Sequence, residues 1–427
     1  MQYVIAGAGP AGVIAAETLR KNDPEGDITL IGAEDSAPYS RMAIPYLLKG
    51  EIAEEGTYLR RGENHYENLG IKIIRGQRVT AVSPGDHSVT LSDGSTVTYD
   101  RLLITTGSNP VRPPIPGMDL PLVQSCWTLA DAHTILGKIG EGAQVVLMGA
   151  GFIGTIILDA IAKKKATLTV VEAESRMVPR MINEAGGAII KKWCEDKGVT
   201  VLTSTRVEEI SEGGSRALQL KLSDGQQLEA DLVICATGVL PNTGFLEGSG
   251  IQTDQGILVN EFMQSSEADI YAAGDVAQGP DFSFGGQAIH AIQPTASDHA
   301  QIAALNMAGK VTPYKGSLSM NTVDIMGLVY YSFGKWMGTE GGSHGEATNE
   351  ANHTYLRLEF EGDRLVGAIR VGVFEQIGVL RGMIENRIAL GEWKATLEQE
   401  PGRFMEAYLT LTKGGVEFPT LRIKKPA

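Results

Sequence analysis

A glycine-rich turn of the form Gly-x-Gly-x-x-Gly occurs twice in the chain, each time directly after a short apolar run. The first turn is Gly7-Ala8-Gly9-Pro10-Ala11-Gly12, and the second is Gly149-Ala150-Gly151-Phe152-Ile153-Gly154. Each turn opens a stretch with helical spacing of apolar residues, and a second apolar strand follows at residues 27–31 and 167–171. The chain is therefore predicted to contain two copies of a βαβ unit.

An acidic residue near the end of each second strand completes the pattern. Glu34 lies 22 residues after Gly12, and Glu172 lies 18 residues after Gly154, close to the spacing of about 20 found in dinucleotide-binding units. The three glycines permit a tight turn, close approach of a pyrophosphate, and close helix–strand packing. The helix N-terminus attracts the phosphates, and the carboxylate accepts hydrogen bonds from ribose hydroxyls. One copy is weak evidence, but two complete copies predict two bound dinucleotides.

The predicted binding residues of these units follow from the motif. The first group is Gly7, Gly9, Pro10, Ala11, Gly12 and Glu34, and the second is Gly149, Gly151, Phe152, Ile153, Gly154 and Glu172. Glu172 would repel a 2′-phosphate, so NAD is favoured over NADP, although Arg176 is close enough in sequence to weaken that preference.

Composition excludes several classes of protein. The net charge of −14 argues against nucleic-acid binding, which needs a basic surface. No apolar run reaches the ~18 residues of a membrane span, and no basic segment precedes the first strand, so we expect a cytoplasmic protein without a signal peptide. The three cysteines, Cys126, Cys194 and Cys235, have neither CxxC nor metal-ligand spacing, so we expect structural thiols and no metal site.

The two units organise the chain into three predicted domains. Hairpin signals at Asp93-Gly94 and Asp224-Gly225 recur at matching places, residues 38–70 are predicted to be helical, and a helix is expected at about residues 295–308. From about residue 314, strands and then two helices near 376–386 and 402–410 predict an α+β region. The predicted fold is α/β: a first nucleotide-binding domain at 1–111 and 242–315, a second at 112–241, and a C-terminal α+β domain at 316–427.

Three further segments carry a family resemblance. They are Ile104-Thr105-Thr106-Gly107, Cys235-Ala236-Thr237-Gly238 and Ile270-Tyr271-Ala272-Ala273-Gly274-Asp275. With the glycine turns, they resemble the two-dinucleotide flavoproteins, namely the pyridine nucleotide–disulfide reductases and their ferredoxin- and rubredoxin-reductase relatives. The resemblance implies two Rossmann-like three-layer domains, FAD at the first turn and NAD(H) at the second. It adds Thr106, Gly107, Thr237, Gly238, Gly274 and Asp275 as cofactor contacts, with Asp275 on the ribityl chain.

Within that family, the chain resembles most the branch of rubredoxin reductases and the NADH-oxidising module of nitrite reductase. Residues 38–41, Pro-Tyr-Ser-Arg, resemble an FAD-contacting segment there, and residues 320–333 resemble the opening of the branch's C-terminal domain. The resemblance makes Arg41 a candidate FAD contact. Its alternative is a surface salt bridge.

The sequence departs from the family at the flavin site. Met42 stands where disulfide-reducing members have their redox cysteine, and a thioether forms neither a thiolate nor a disulfide. Tyr46 and Ile156 stand where many members have a lysine and a glutamate near flavin N5, although Lys49 is close by. Tyr46 either stacks near the flavin or fills the core. His290 is either a proton donor or a hydrogen-bonded histidine beside the cofactor.

The resemblance implies that hydride passes from NADH to FAD and that electrons then go to a separate carrier such as ferredoxin or rubredoxin. Three alternatives remain open at this point: reduction of oxygen or a quinone, an electron-input subunit of a larger complex, and a redox-sensing interaction protein. The last is motivated by the missing Lys–Glu pair. A homodimer is compatible with all of them.

Overall fold

The computed structural model describes residues 1–372 and 375–412. By contacts the chain forms two compact units, Met1–Ala173 with Val199–Ser317, and Glu174–Gly198 with the described residues that follow Ser317. The division by contacts assigns residues 174–198 to the same unit as the C-terminal region. The three-domain boundaries derived from the sequence stay a prediction.

The first third of the chain opens with a βαβ unit and continues into an antiparallel hairpin. Its elements are β1 Gln2–Ala6, α1 Pro10–Asn22, β2 Asp27–Ile31, α2 Ile44–Lys49, α3 His65–Asn68, β3 Ile71–Ile74, β4 Val79–Ser83, β5 Ser88–Leu91, β6 Thr96–Thr98, β7 Arg101–Ile104 and β8 Ser108–Pro110. The prediction of an extended helical region at 38–70 is wrong. That stretch holds only α2, α3 and two 3₁₀ turns, because Gly50, Gly56 and Gly62 interrupt any longer helix.

The middle of the chain repeats this order. Its elements are β9 Val123–Ser125, α4 Leu129–Leu136, β10 Gln144–Met148, α5 Phe152–Ala162, β11 Thr167–Val171, α6 Glu184–Asp196, β12 Thr200–Leu202, β13 Val207–Glu212, β14 Leu218–Leu222, β15 Gln227–Ala230, β16 Leu232–Cys235 and β17 Val239–Pro241. The chain then adds β18 Ile257–Leu258, β19 Ile270–Ala272, β20 Ala277–Pro280, β21 Gln287–Ala288 and α7 Gln293–Met307.

Two five-stranded parallel sheets form the frame of the first unit. Their strand orders are β19-β7-β1-β2-β3 and β12-β11-β10-β16-β9. In each sheet the central strand lies between its βαβ partner on one side and a strand from much later in the chain on the other. The order reverses at the carboxyl end of β1 and of β10, where ligands of open α/β sheets bind. Both glycine turns lie at these points, and the predicted α/β class is confirmed.

Burial explains why these strands are central. Residues 3–6 of β1 and 145–148 of β10 are buried without alternation, as expected for strands covered on both faces. Helices α1 and α7 pack beside the first sheet, and their alanines let the helix axes approach closely; Ala15, Ala16, Ala300, Ala303 and Ala304 are all buried.

The second unit contains a five-stranded antiparallel sheet with the order β22-β23-β26-β25-β24. Its elements after α6 are β22 Met320–Ile325, β23 Leu328–Gly334, β24 Ser343–Asn349, β25 Thr354–Glu361, β26 Arg364–Val371, α8 Ile377–Glu385, α9 Trp393–Gln399 and α10 Phe404–Thr412. Helix α6 contacts β25 and β26, and the Trp193 indole N–H donates to the Ile325 carbonyl at 3.1 Å. The sequence predicted α8 and α10 but missed α9.

Candidate functional site

The first glycine turn is tight at both ends and open in its middle. A Cβ added at Gly7 would lie 2.2 Å from the Thr105 carbonyl oxygen, and one at Gly12 would lie 1.9 Å from the Gly7 carbonyl oxygen. By contrast, no non-neighbouring atom of the described residues lies within 4 Å of a Cβ at Gly9. Gly9 caps α1, and Pro10 occupies its first position, where no N–H partner is needed. The turn thus offers a helix N-terminus with an open approach for a phosphate.

The second glycine turn has the same construction. A Cβ at Gly149 would lie 2.5 Å from the Ala236 carbonyl oxygen, and one at Gly154 would lie 2.2 Å from the Gly149 carbonyl oxygen. Gly151 caps α5, and no non-neighbouring atom of the part of the chain that the structure describes lies within 4 Å of its Cβ position. The backbone at both turns therefore fits the pyrophosphate of a dinucleotide.

The two predicted ribose-binding carboxylates are held differently. Glu172 directly follows β11, is only 7% exposed, and accepts a 2.6 Å hydrogen bond at Oε2 from the Ala150 N–H. The N–H of Gly7 donates to the carbonyl of Ile31, the last residue of β2, just as Gly149 donates to Val171. Gly32 is therefore the counterpart of Glu172. Strand β2 ends at Ile31, as expected from the sequence, and Glu34 lies in the loop just beyond it, so its ribose contact stays a prediction.

Glu34 is fixed instead by two side chains of that loop. Tyr39 donates its hydroxyl to Glu34 Oε2 at 2.7 Å, and Arg41 donates from Nη2 to Oε1 at 3.0 Å. Burial chiefly, with the neighbouring carboxylate, raises the pKa of Tyr39 well above its ordinary value, so the phenol remains a donor. Arg41 also donates from Nη1 to the Trp127 carbonyl at 2.6 Å, with its guanidinium 5.2 Å from the Trp127 ring centre. Arg41 thus forms the ion pair named as its alternative, and its FAD contact stays a prediction.

Trp127 and Ser108 join this cluster to Asp275, and sequence reasoning missed both. The Trp127 indole N–H donates to the Ser108 carbonyl at 3.1 Å, and the Ser108 hydroxyl donates to Asp275 Oδ2 at 2.9 Å. Burial raises the pKa of the Asp275 carboxyl, and the Ser108 hydroxyl partly offsets this rise. No local pattern marks these residues, because their role depends on strand order. Arg41 and Asp275, far apart in sequence, are thereby connected.

Gly274 lies where two helices begin. A Cβ there would lie 3.4 Å from the Ala296 Cβ of α7 and 3.5 Å from the Ala11 Cβ of α1. Its φ of +78° also favours glycine. The first turns of α1 and α7 therefore flank the segment that carries Asp275. Helix α7 begins at Gln293, close to the predicted start near Thr295.

The predicted residues after β7 and β16 each donate a hydrogen bond to the chain segment that follows the other strand. Thr106 donates its hydroxyl to the Asn242 carbonyl at 3.1 Å, while Thr237 donates to the Val111 carbonyl at 3.0 Å. Gly107 and Gly238 both have positive φ, +65° and +124°, which lets the chain turn sharply at each strand end. The segments around Val111 and Asn242, which follow the strand ends at β7 and β16, are thus hydrogen-bonded to the predicted cofactor contacts Thr237 and Thr106.

The residues at the family's flavin-side positions are largely accessible. Met42 is 41% exposed and Tyr46 is 50% exposed, so Tyr46 does not fill the core. One helical turn after Tyr46, the Lys49 ammonium forms an ion pair with Asp159 of α5 and lies 5.4 Å from the Tyr46 ring centre. Both charges are largely buried.

The His290 side chain is buried next to the carboxylate of Asp281. Its Nε2 is 3.7 Å from Asp281 Oδ2, and both side chains are buried. The neighbouring His299 is buried, with Nε2 3.2 Å from the Ser317 hydroxyl oxygen. Burial, and secondarily the charge of His290, lowers the pKa of His299 to about 4. A proton-donor role for His290 stays a prediction.

The three cysteines are all buried and unpaired as disulfides. Burial raises the pKa of the Cys126 and Cys194 thiols to about 12, so neither is a nucleophile near neutral pH. Among the described residues, no group of three or more His, Cys, Asp or Glu side chains is arranged to hold a metal ion. Within residues 1–372 and 375–412, no helix has both the length and the apolarity that a membrane crossing requires.

Arg176, the residue that weakened the preference for NAD, donates hydrogen bonds to neighbouring protein groups. Its Nη1 donates to Glu184 Oε1 at 2.6 Å, its Nε to the Ile182 carbonyl at 2.8 Å, and its Nη2 to the Pro179 carbonyl at 2.9 Å. Each of its three nitrogens therefore already donates one hydrogen bond within residues 176–184, and the preference for NAD over NADP continues to rest on Glu172.

Comparison with known proteins decides the family. The model of the pyridine nucleotide-disulphide oxidoreductases matches residues 1–300. The chain belongs to this family. It is 33% identical to the epsilon subunit of NADH-dependent phenylglyoxylate dehydrogenase from Aromatoleum evansii over 410 residues, 94% of this chain and 95% of the relative.

Two further comparisons place the chain among electron-transfer members of the family. It is 30% identical to the rubredoxin-NAD(+) reductase of Pseudomonas putida, covering 73% of this chain and 81% of that protein. The reductase chain in the covalent putidaredoxin reductase–putidaredoxin complex superposes with a TM-score of 0.88 at 26% identity, covering 97% of this chain and 99% of that chain. The chain is therefore an NAD(H)-dependent flavin oxidoreductase whose cofactors are FAD and NAD(H).

Proposed function

We propose that this flavoprotein carries electrons from NADH to a separate one-electron carrier protein, with FAD at the first glycine turn and NADH at the second. The observation that carries the proposal is the pairing of two open glycine turns, at Gly9 and Gly151, with the burial of all three cysteines. The first feature supplies two dinucleotide sites, and the second decides how electrons leave.

One set of residues would bind FAD at the first glycine turn, and another would bind NADH at the second. Gly9 and Gly151 admit one pyrophosphate each, and the first turns of α1 and α5 face the phosphates with their free N–H groups. Glu172 accepts from the NADH ribose while Ala150 holds its other side. Arg41, Glu34 and Asp275 line the FAD side. FAD, when bound, takes a hydride from NADH and releases electrons singly.

The exit route follows from sulfur chemistry. A disulfide relay needs an accessible thiolate beside the flavin, but Met42 stands at the family's redox-cysteine position. Cys126, Cys194 and Cys235 are all buried. Electrons must therefore leave the flavin without a thiol intermediate. Three cysteines also fall short of the four thiolates of a common iron–sulfur cluster, so the carrier would be another protein.

The relatives support a protein acceptor of this kind. The names of the Pseudomonas putida reductase and of the putidaredoxin complex each include an electron carrier, rubredoxin or putidaredoxin. A ferredoxin or rubredoxin is accordingly the proposed acceptor class.

The test is an anaerobic titration of the FAD-loaded protein with NADH and then NADPH, followed by rapid mixing of the reduced protein with oxidised ferredoxin, rubredoxin, a quinone or air. The proposal predicts stoichiometric bleaching of the flavin by NADH and faster reoxidation by a carrier protein than by air or quinone. Faster reoxidation by air or quinone would instead establish an oxidase. Slow bleaching with a long-lived NAD charge-transfer band would favour the redox-sensing alternative.

A second candidate is supported by one specific comparison. The chain and the epsilon subunit of the Aromatoleum evansii dehydrogenase match over nearly their whole lengths, which makes the NAD(H)-linked subunit of a larger oxidoreductase the second candidate. In that case the carrier would be another subunit. Purification of the tagged chain from its source cells should then yield a complex of fixed stoichiometry that contains iron–sulfur clusters. An isolated chain that elutes alone and reacts rapidly with free carrier would contradict it.

A further inference from the structure

Two ion pairs lie near the C-terminal ends of α2 and α5 in the first unit, and they differ sharply in burial. The first joins Lys49, the last residue of α2, to Asp159 of α5, with side chains 14% and 9% exposed. The second joins Glu51 to Lys163 at 2.7 Å, with side chains 43% and 49% exposed. An exposed pair contributes little to structure, whereas a buried pair enforces a fixed geometry because either charge alone would be costly.

The buried pair joins the helix that contains part of the second glycine turn to the helix that carries Tyr46. Helix α5 begins at Phe152, within the second glycine turn, so any displacement of α5 moves that turn. Helix α2 carries Tyr46, and the Lys49 ammonium is 5.4 Å from the Tyr46 ring centre. The pair therefore connects the predicted NADH turn to the side chain predicted to lie beside the flavin.

The position of this pair accounts for the charges that are absent at Tyr46 and Ile156. Lys49 and Asp159 each lie three residues after the positions, Tyr46 and Ile156, where a lysine and a glutamate were expected. Three residues advance about 4.5 Å along a helix and return to nearly the same face. Both charges are thus displaced by one turn in the same direction along the sequence, and the ion pair is kept. The lysine also lies at the C-terminal end of α2, where a cation is favoured.

We propose that Lys49 and Asp159 are positioning residues for hydride transfer. Their ion pair holds α5 and the second glycine turn in register with α2 and Tyr46. In this role the pair does not donate a proton and does not tune the flavin. The inference rests on the proposed placement of NADH at the second turn and is independent of the identity of the acceptor.

The experiment compares the single variants Lys49→Gln and Asp159→Asn, the reversed pair Lys49→Asp/Asp159→Lys, and the matched control Glu51→Gln. Asp159→Asn is nearly isosteric, and the apolar pair Lys49→Met/Asp159→Leu removes both buried charges together, so a folded variant is available if one single variant fails. Three quantities are measured: the limiting rate of flavin reduction by saturating NADH, the flavin midpoint potential, and amide hydrogen exchange of residues 44–51 and 152–163 in the flavin-free protein.

Each single variant should lower the limiting rate by about 10- to 100-fold, the range expected for small misplacement of reacting groups. The apolar pair should be slow as well, because it lacks the directional bond, and the reversed pair should regain part of the rate. The midpoint potential should not change. Hydrogen exchange in both segments should accelerate in Asp159→Asn but not in Glu51→Gln.

Native-like rates in the single variants, or losses in Glu51→Gln equal to theirs, would overturn the inference. A shifted potential would also overturn it by showing that the charges act on the flavin itself. If the unmodified protein were not reduced by NADH at all, the proposed function would fail instead, and the exchange measurement would still test the ion pair.

Discussion

The Glu172 carboxylate accepts a 2.6 Å hydrogen bond from the backbone N–H of Ala150, so one side chain both follows β11 and braces the second glycine turn. In the first sheet the equivalent position is Gly32, and Glu34 is held by Tyr39 and Arg41 instead. The two turns share their backbone geometry but not their carboxylate supports. Substitutions at Glu172 therefore act on the nucleotide site and on the turn together.

Replacement of Glu172 by Gln should separate these two effects. The amide oxygen of Gln still accepts from Ala150, so the turn is kept, while the charge that repels a 2′-phosphate is lost. We expect the ratio of kcat/KM for NADPH to that for NADH to rise about tenfold, or ~1.4 kcal/mol in relative transition-state binding. Steady-state assays with both nucleotides measure this ratio. The exposed neighbour Glu174, changed to Gln, is the control, and an unchanged ratio in Glu172→Gln would contradict the assignment.

Alanine at Gly9 and at Gly151 should abolish binding of different cofactors. Both glycines have negative φ, −79° and −76°, and open space at the Cβ position, so we expect changes in the free energy of unfolding below ~1 kcal/mol in the flavin-free protein. The added methyl groups project where the phosphates are proposed to bind. Gly9→Ala should purify with little FAD. Gly151→Ala should keep FAD but require at least tenfold more NADH for flavin reduction.

The control for this pair is Gly85→Ala, whose Cβ also meets open space but lies in a surface turn. It should match the unmodified protein in flavin content and in NADH titration. Full FAD occupancy in Gly9→Ala, with unchanged NADH affinity in Gly151→Ala, would show that these turns do not hold the cofactors.

The glycine turns were predictable from sequence because their constraints are local. Gly7 and Gly12 are each required by a neighbouring backbone oxygen, and this requirement produces the recognisable spacing. Trp127 and Ser108 were not predictable, because they reach Arg41 and Asp275 only through the order of strands. Spacing along the chain placed Glu34 near the end of β2, but it could not show that Tyr39 and Arg41 hold the carboxylate there. The Lys49–Asp159 pair was not predictable from single aligned positions, because helix packing tolerates a shift of one turn.

The cysteines provide a test of the exit route for electrons. Burial raises the pKa of the Cys126 and Cys194 thiols to about 12, so under 1% should be ionised at pH 8. We therefore expect no alkylation of either by iodoacetamide in the native holoprotein and an undiminished NADH-to-carrier rate after treatment. Mass spectrometry counts the modified residues, and alkylation of the denatured chain at all three cysteines is the control. A fast-reacting thiol whose blockage stops turnover would restore a sulfur relay.

Acid stability should depend on His299. Its imidazole is buried with Nε2 3.2 Å from the Ser317 hydroxyl oxygen, and burial first, then the charge of His290, lowers its pKa from 6.5 to about 4. Between these values the unfolded chain binds a proton that the folded chain does not. The contribution of His299 to stability is therefore complete above pH 6.5 and is lost as the pH falls toward 4.

Other ionisable side chains lie next to His299, so the prediction is stated as a difference between variants. His290 and Asp281 lie close by. Burial tends to raise the pKa of Asp281, but the nearby His290 and the hydrogen bonds from the Ser283 and Phe284 N–H groups outweigh it and leave that pKa below its ordinary value. Denaturant unfolding of His299→Gln, measured from pH 4 to pH 8, should show a flatter pH profile than the unmodified protein. The difference should be on the order of 3 kcal/mol at most across that window. The exposed His344→Gln variant should retain the native slope, and equal slopes in all three proteins would mean that the pKa of His299 is the same in the folded and unfolded chain.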